Sequence, residues 1–270
     1  MYSFFLNYIF LFVLIYDLPA QYYPLSGARA AGIANAAVTI SDEWALFHNI
    51  AGIASQNKVL TGVWYKNEYA LKACRATSVH LTSPLLKGGF GAFVSKYGNE
   101  IYSITTISAG YAHKINFVSL GIKVNYVQVV IQDLGVGKNI VVDFGGIAEL
   151  ISSKLFFGAT INNINQASIK HEVLPVLMNA GLSYRPNKKV LLSIEVQKDL
   201  LYKHTLKTGL EYSFLQNFSC RTGVTTNPFV NFFGLGFNNK IFKLDYALSK
   251  HSQLGYSHCI SIIVIFNKQK

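Results

Sequence analysis

Charge is scarce in this chain: Asp, Glu, Lys and Arg supply 14% of its 270 residues, whereas soluble domains average about 25%. Apolar residues supply 51%, yet beyond the N-terminus no run of about eighteen consecutive apolar residues occurs, which excludes a spanning helix. Cysteine is rare as well. Cys74, Cys220 and Cys259 are widely spaced and odd in number, so no disulfide framework is written into the chain and they read as small semi-apolar filler. No C-x-x-C and no paired-histidine spacing points to a metal. The histidines at 48, 80, 113, 171, 204, 251 and 258 are scattered and read as interfacial or solvated. There is no Gly-x-Ser-x-Gly elbow, no His-Glu-x-x-His and no Gly-rich phosphate loop, hence no catalytic residue and no cofactor is assigned. Acids are few, 13 against 24 Lys and Arg, but the basic residues nowhere concentrate beyond Lys188-Lys189 and the tail at Lys268 and Lys270. That spread argues against nucleic acid and for anionic lipid headgroups or a basic lumen.

What the chain does contain is a two-residue alternation. From Val118 to Tyr126 every even position is apolar or aromatic and every odd one is small, polar or charged. The same rule runs through Val190–Gln197 and Leu206–Phe214. Side chains on a strand point alternately to opposite faces, so each segment has one greasy and one wet face. Alternation and turn residues together predict strands at 57–66, 70–82, 88–97, 101–113, 117–130, 139–149, 154–163, 174–185, 189–198, 205–214, 217–225, 230–238, 240–249 and 256–267. Fourteen is an even number, as a closed antiparallel transmembrane β-barrel requires. The longest gaps fall near 131–138, 164–173 and 199–204.

The greasy face, with Leu120, Ile122, Val124, Met178 and Leu182, is expected to meet lipid, and Tyr184, Tyr212, Tyr246 and Phe266 to mark its interfaces. The opposite face carries Lys123, Arg185, Glu195, Lys207, Glu211, Arg221, Lys243 and Asp245. Both signs occur there, so an interior polar network is expected. A barrel of this size leaves a lumen that something must fill.

The N-terminus supplies two further segments. Residues 1–20 read as a signal peptide: the apolar run from Phe4 to Ile15 is too short to span, and Leu18 and Ala20 suit a cleavage site. Without it the chain keeps 24 basic residues against 12 acidic, since Asp17 leaves with the leader. Residues 21–56, rich in Ala and Gly between 27 and 56, lack strand alternation and read as a plug ahead of a barrel at 57–267, with 268–270 a basic tail. Ser41-Asp42-Glu43 before Trp44 looks like a helix start. Arg29 needs an acid inside the barrel, with Asp143, Glu195, Glu211 and Asp245 as candidates.

Gly27-Ala28-Arg29, Gly32, Asn35, Asp42, Asn49 and Gly52 resemble the N-terminal signature of FadL-like outer-membrane proteins. Later blocks, among them Leu155–Gly158, Ala180–Pro186, Gly209–Tyr212 and Gly234–Phe237, resemble the PorV/PorQ branch of that superfamily. Ile50 stands where the family usually has proline. The resemblance implies a non-enzymatic barrel in the outer membrane of a Bacteroidetes-type Gram-negative cell. Its implied partners are outer-membrane lipid and type IX secretion components or secreted cargo. The alternative implied by the wider superfamily is a channel for hydrophobic small molecules with residues 27–56 as its hatch, against which the short loops weigh.

Overall fold

The computed structural model describes residues 27–169, 172–200 and 203–266. The leader expected at 1–20 and the tail at 268–270 lie outside the described residues. Alternating segments become strands β1 (Val59–Asn67), β2 (Arg75–Leu85), β3 (Gly88–Gly98), β4 (Tyr102–Ile115), β5 (Val118–Ile131), β6 (Gly135–Ile151) and β7 (Leu155–Asn162). A short hairpin follows, β8 (Ser168–Ile169) and β9 (Glu172–Val173). Then come β10 (Leu177–Asn187), β11 (Val190–Asp199), β12 (Thr205–Tyr212), β13 (Phe218–Thr225), β14 (Val230–Asn238), β15 (Phe242–His251) and β16 (Gly255–Phe266). All but the β8–β9 hairpin join one closed antiparallel barrel of fourteen strands, sealed where Val59 of β1 faces Phe266 of β16. Closure leaves no unpaired strand edge in the bilayer, where each bare N–H or C=O would cost several kcal/mol.

The side-chain distribution is inverted relative to a soluble protein. On β5, Ile122 is 51% exposed while its neighbour Lys123 is 4% exposed. Leu182 and Tyr184 on β10 and Tyr246 on β15 likewise face outward. Such a surface is stable only where lipid replaces water.

Both ends of the ring's sequence meet at one end of the barrel. Its other connections there, 86–87, 116–117, 152–154, 188–189, 213–217 and 239–241, are short. The opposite, distal end carries the longest link, 163–176. Two sequence expectations need correction. The gap foreseen at 131–138 is mostly strand: β5 and β6 stay paired to Ile131–Gly135, and only a tight turn with Asp133 and Gly135 at positive φ separates them. Gly-Val-Gly reads as loop in sequence but fits a ladder whose partner strand supplies the pairing. Conversely, β2 begins at Arg75, not near 70, because Tyr69 and Ala70 adopt positive φ and divert the chain.

Residues 27–55 lie inside the ring. They form α1 (Ala28–Gly32), one turn of α2 (Ala45–His48) and a 3-10 stretch (Ile50–Ser55). Small residues allow this fit. A Cβ added at Gly89 of β3 would stand 1.9 Å from the Ile53 carbonyl oxygen, so the wall lets the inner backbone touch it.

Candidate functional site

Inside the barrel, the inner segment is tied to the wall on several sides. The Ala28 N–H donates to Ser261 Oγ on β16 (3.2 Å), and the Val38 N–H donates to Glu195 on β11 (2.8 Å). Asn49 Nδ2 donates to the Val38 carbonyl (2.6 Å) and to Gly146 on β6 (3.1 Å), while its Oδ1 accepts from the Ala51 N–H. Lys123 Nζ donates to the Leu46 carbonyl at 3.0 Å.

Charges on both sides complete the attachment. Arg29 forms a forked pair with Glu211, 2.9 and 2.7 Å, and approaches Asp42 at 3.5 Å. Arg221 bridges Glu211 and Asp245, the latter at 2.6 Å. Lys207 pairs with Glu195, Lys123 with Asp143, and Lys243 with Glu43 of the inner segment. Burial alone would favour deprotonation of Arg29, but the Glu211 carboxylate outweighs it and holds the guanidinium well above its ordinary pKa. Burial likewise pushes the Glu43 carboxyl up, and Lys243 reverses this to a net lowering.

The motif residues serve the inner segment's own packing. Gly27 has φ +93° and lies where a Cβ would be 2.6 Å from the Trp44 ring. Gly32 abuts Gly234 and Arg221, and Gly52 abuts Ala45 and the Ile40 carbonyl. Asn35 takes a left-handed conformation, its N–H donating to Ala30. Asp42 accepts the Trp44 N–H just ahead of the expected helix start, which is a single turn without a side-chain cap. Of the eight predicted lumen residues, Arg185 stands apart: its guanidinium lies over the Phe156 ring, 5.0 Å from the centroid, and forms no ion pair among the described residues.

Four features correct or go beyond the reading from sequence. His80 is 1% exposed, with the Trp44 ring tilted against it at 4.4 Å and Phe47 at 6.0 Å, so its reading as interfacial or solvated is corrected. His48 is also enclosed, its Nε2 3.1 Å from the Ile40 carbonyl. Cys259 accepts a hydrogen bond from Trp64 Nε1 at 2.7 Å within the core. Finally, the distal link folds inward. Asn163 is fully buried; its N–H donates to Asp143, its Nδ2 to the Ala167 and Leu174 carbonyls, and its Oδ1 accepts the Ala167 N–H. Ala167, Ile169 and Leu174 thereby pack on lumen-facing Ile104, Val127 and Val141.

The lumen is consequently two-sided. Along β11–β15 it is ionic. Along β1–β6, the Lys123–Asp143 pair apart, it is filled by apolar packing that runs from Ile104, Val127 and Val141 through Tyr97, which touches both clusters, toward Trp64 and the plug's Trp44 and Phe47, with Phe47 on Phe93 at 4.2 Å.

No protein-family model and no curated protein matches the sequence. Solved structures do. The fold aligns with the CymD monoaromatic hydrocarbon channel at TM-score 0.69 and 12% identity, covering 92% of this chain and 100% of that one. It aligns with the Ralstonia pickettii toluene transporter TbuX at TM-score 0.67 and 10% identity over 89% and 98% of the two chains. A Pseudomonas aeruginosa FadL homologue gives TM-score 0.67 and 10% identity over 90% and 98%. At such identities the likeness is one of architecture: the chain shares the barrel fold of these three proteins, the FadL homologue among them.

Proposed function

We propose that the protein is an outer-membrane channel for small hydrophobic molecules, with residues 27–55 as its plug. The observation that carries this reading is the apolar wall lining buried beneath the distal link and the plug: Ile104, Val127 and Val141 under Ala167, Ile169 and Leu174, and Trp64 in one cluster with Trp44. A hydrocarbon crossing a lipopolysaccharide-covered membrane needs such a water-poor wall, because each buried CH₂ gains about 0.8 kcal/mol over water. Structural neighbours described as a hydrocarbon channel and a toluene transporter support it. The secretion role implied by the PorV/PorQ resemblance is a second reading. The N-terminal signature, shared with the wider FadL-like superfamily, does not single it out, since Gly27 and Gly52 pack within the plug and Gly32 and Asn49 fit the plug to the wall. Any plugged barrel of this shape has that need.

The test is uptake of radiolabelled toluene by Gram-negative cells that lack a hydrocarbon channel of their own. Cells carrying the protein should take toluene up several-fold faster than control cells, with a disaccharide unaffected. No stimulation, together with a secreted protein co-purifying from detergent extracts, would favour the secretion reading instead.

A further inference from the structure

At the barrel end that carries both termini of the ring, the wall and the inner segment enclose a cleft of about 940 Å³. Six amide side chains line it: Gln56, Asn57, Gln216, Asn217, Asn238 and Asn239. Two of these are partly engaged, since Gln56 donates to the Asp42 carbonyl and Asn239 accepts the Lys240 N–H. The other four side chains form no hydrogen bond among the described residues. Deeper in, a narrower recess of about 150 Å³ opens onto Arg29, Glu211, Arg221 and Asp245. Cleft and recess share Glu43, Gln216, Asn217, Asn238 and Lys243, so they form one funnel.

The funnel's charge is unbalanced. Five cations (Arg29, Lys58, Arg221, Lys240, Lys243) face three carboxylates (Glu43, Glu211, Asp245). Ion pairs account for Arg29, Arg221 and Lys243, leaving Lys58 and Lys240 at the rim without an acidic partner among the described residues. A hydrocarbon has no complement here. An occupant of this place is anionic and polar, and cleft volumes of roughly 300–1,000 Å³ hold molecules far larger than a single carboxylate. Each amide offers one acceptor and one N–H₂ donor group, the complement of a peptide group.

We infer that this funnel is a docking site for an acidic, extended peptide segment of a partner protein, its carboxylates set against Lys58 and Lys240 and its backbone against the amides. The site is independent of what crosses the lumen; that this end, with its short turns, faces the periplasm rests on the outer-membrane reading.

Fluorescence anisotropy of a fluorescein-labelled Glu-Gly repeat octapeptide, titrated with the full-length protein in neutral detergent, tests this. The peptide should bind, its Lys-Gly counterpart should not, and affinity should fall about tenfold between about 50 and 300 mM salt as screening tightens. Lys58→Gln with Lys240→Gln should weaken binding by about tenfold, while removing two exposed charges from the distal half, Lys72→Gln with Lys138→Gln, should leave it unchanged. Absence of binding at low salt, or equal weakening by the two double variants, overturns the proposal. Displacement by inorganic phosphate at matched charge would reduce the funnel to a small-anion site. Displacement by phosphatidylglycerol in the micelle would assign it to a lipid headgroup. Either result also overturns it. Heat-dependent gel mobility confirms that each variant is folded.

Discussion

Single residues in this protein face one of two unlike environments, and substitutions should reveal which. Ile194 lies on the lipid face of β11 and is 45% exposed. Ile194→Arg is expected to cost about 2–4 kcal/mol near the bilayer midplane, whereas Ile194→Phe should cost little; unfolding monitored by gel mobility against urea measures both. The reverse face is not the wet one that alternation suggests. A Cβ at Gly209, opposite Ser193, would be 2.6 Å from Ile33 Cβ, so an arginine at 193 has no free lumen to enter. Glu211 and Arg29 should differ as well. Glu211 holds two guanidinium groups, and Glu211→Gln leaves both without their shared charge, a loss of about 3–5 kcal/mol for a broken buried pair. Arg29→Met leaves Glu211 still paired with Arg221, and a smaller loss in the same assay is expected. Equal losses would show that the two pairs are not linked.

At the scale of elements, the inner segment and the distal link close the lumen from different ends. Deleting 27–56 removes every contact to Ser261, Glu195, Glu211 and Gly146 while leaving the strand ladder intact. Single-channel conductance in planar bilayers should rise, and an unchanged value would mean the segment does not obstruct the pore. Asn163 is the joint of the distal link, with one side chain serving both its limbs. Asn163→Ala keeps the backbone N–H bond to Asp143 but frees the limbs at Ala167 and Leu174, loosening the link from the apolar wall and raising conductance, at a stability cost of about 1–3 kcal/mol for the unpaired groups. Neither arrangement could be read from periodicity. Asn162-Asn163-Ile164 looks like an ordinary turn, and its inward fold depends on Ile104 and Val127, far away in sequence. One signal was present but unread: the alternation read through Val190–Gln197 fails at Leu191, which packs in one cluster with Ala30, Ile33, Ala37 and Ile40 of the inner segment.

For the whole molecule, plug seating is linked to pH through Glu43. Its pKa in the folded protein lies below the ordinary value, net of the burial that opposes this, because Lys243 neutralises it. A lowered folded pKa means the pair contributes at and above neutral pH and is lost only as pH falls through the depressed value. Conductance should therefore stay constant from about pH 8 to pH 5 and rise only below the usual carboxylate range near about 4. In Glu43→Gln that acid-dependent rise should be absent. A rise near pH 6 would instead place the sensitivity on histidine.

The barrel itself was legible in the amino-acid sequence. Alternation is a local property, since the strand's two-residue repeat forces neighbouring side chains to opposite faces, and so Val118–Tyr126 declares both its strand and its faces. Closure at fourteen strands follows from counting them, because an open edge cannot persist in lipid. A plug at residues 21–56 was an expectation from sequence, but how the inner segment fits the lumen was decided by tertiary structure alone. Which of four acids Arg29 meets, which wall position leaves room for the Ile53 carbonyl, and why Trp44 rests on His80 all depend on how the wall curves around the inner segment. Those contacts join residues tens to nearly two hundred positions apart, and no local repeat encodes distances of that kind.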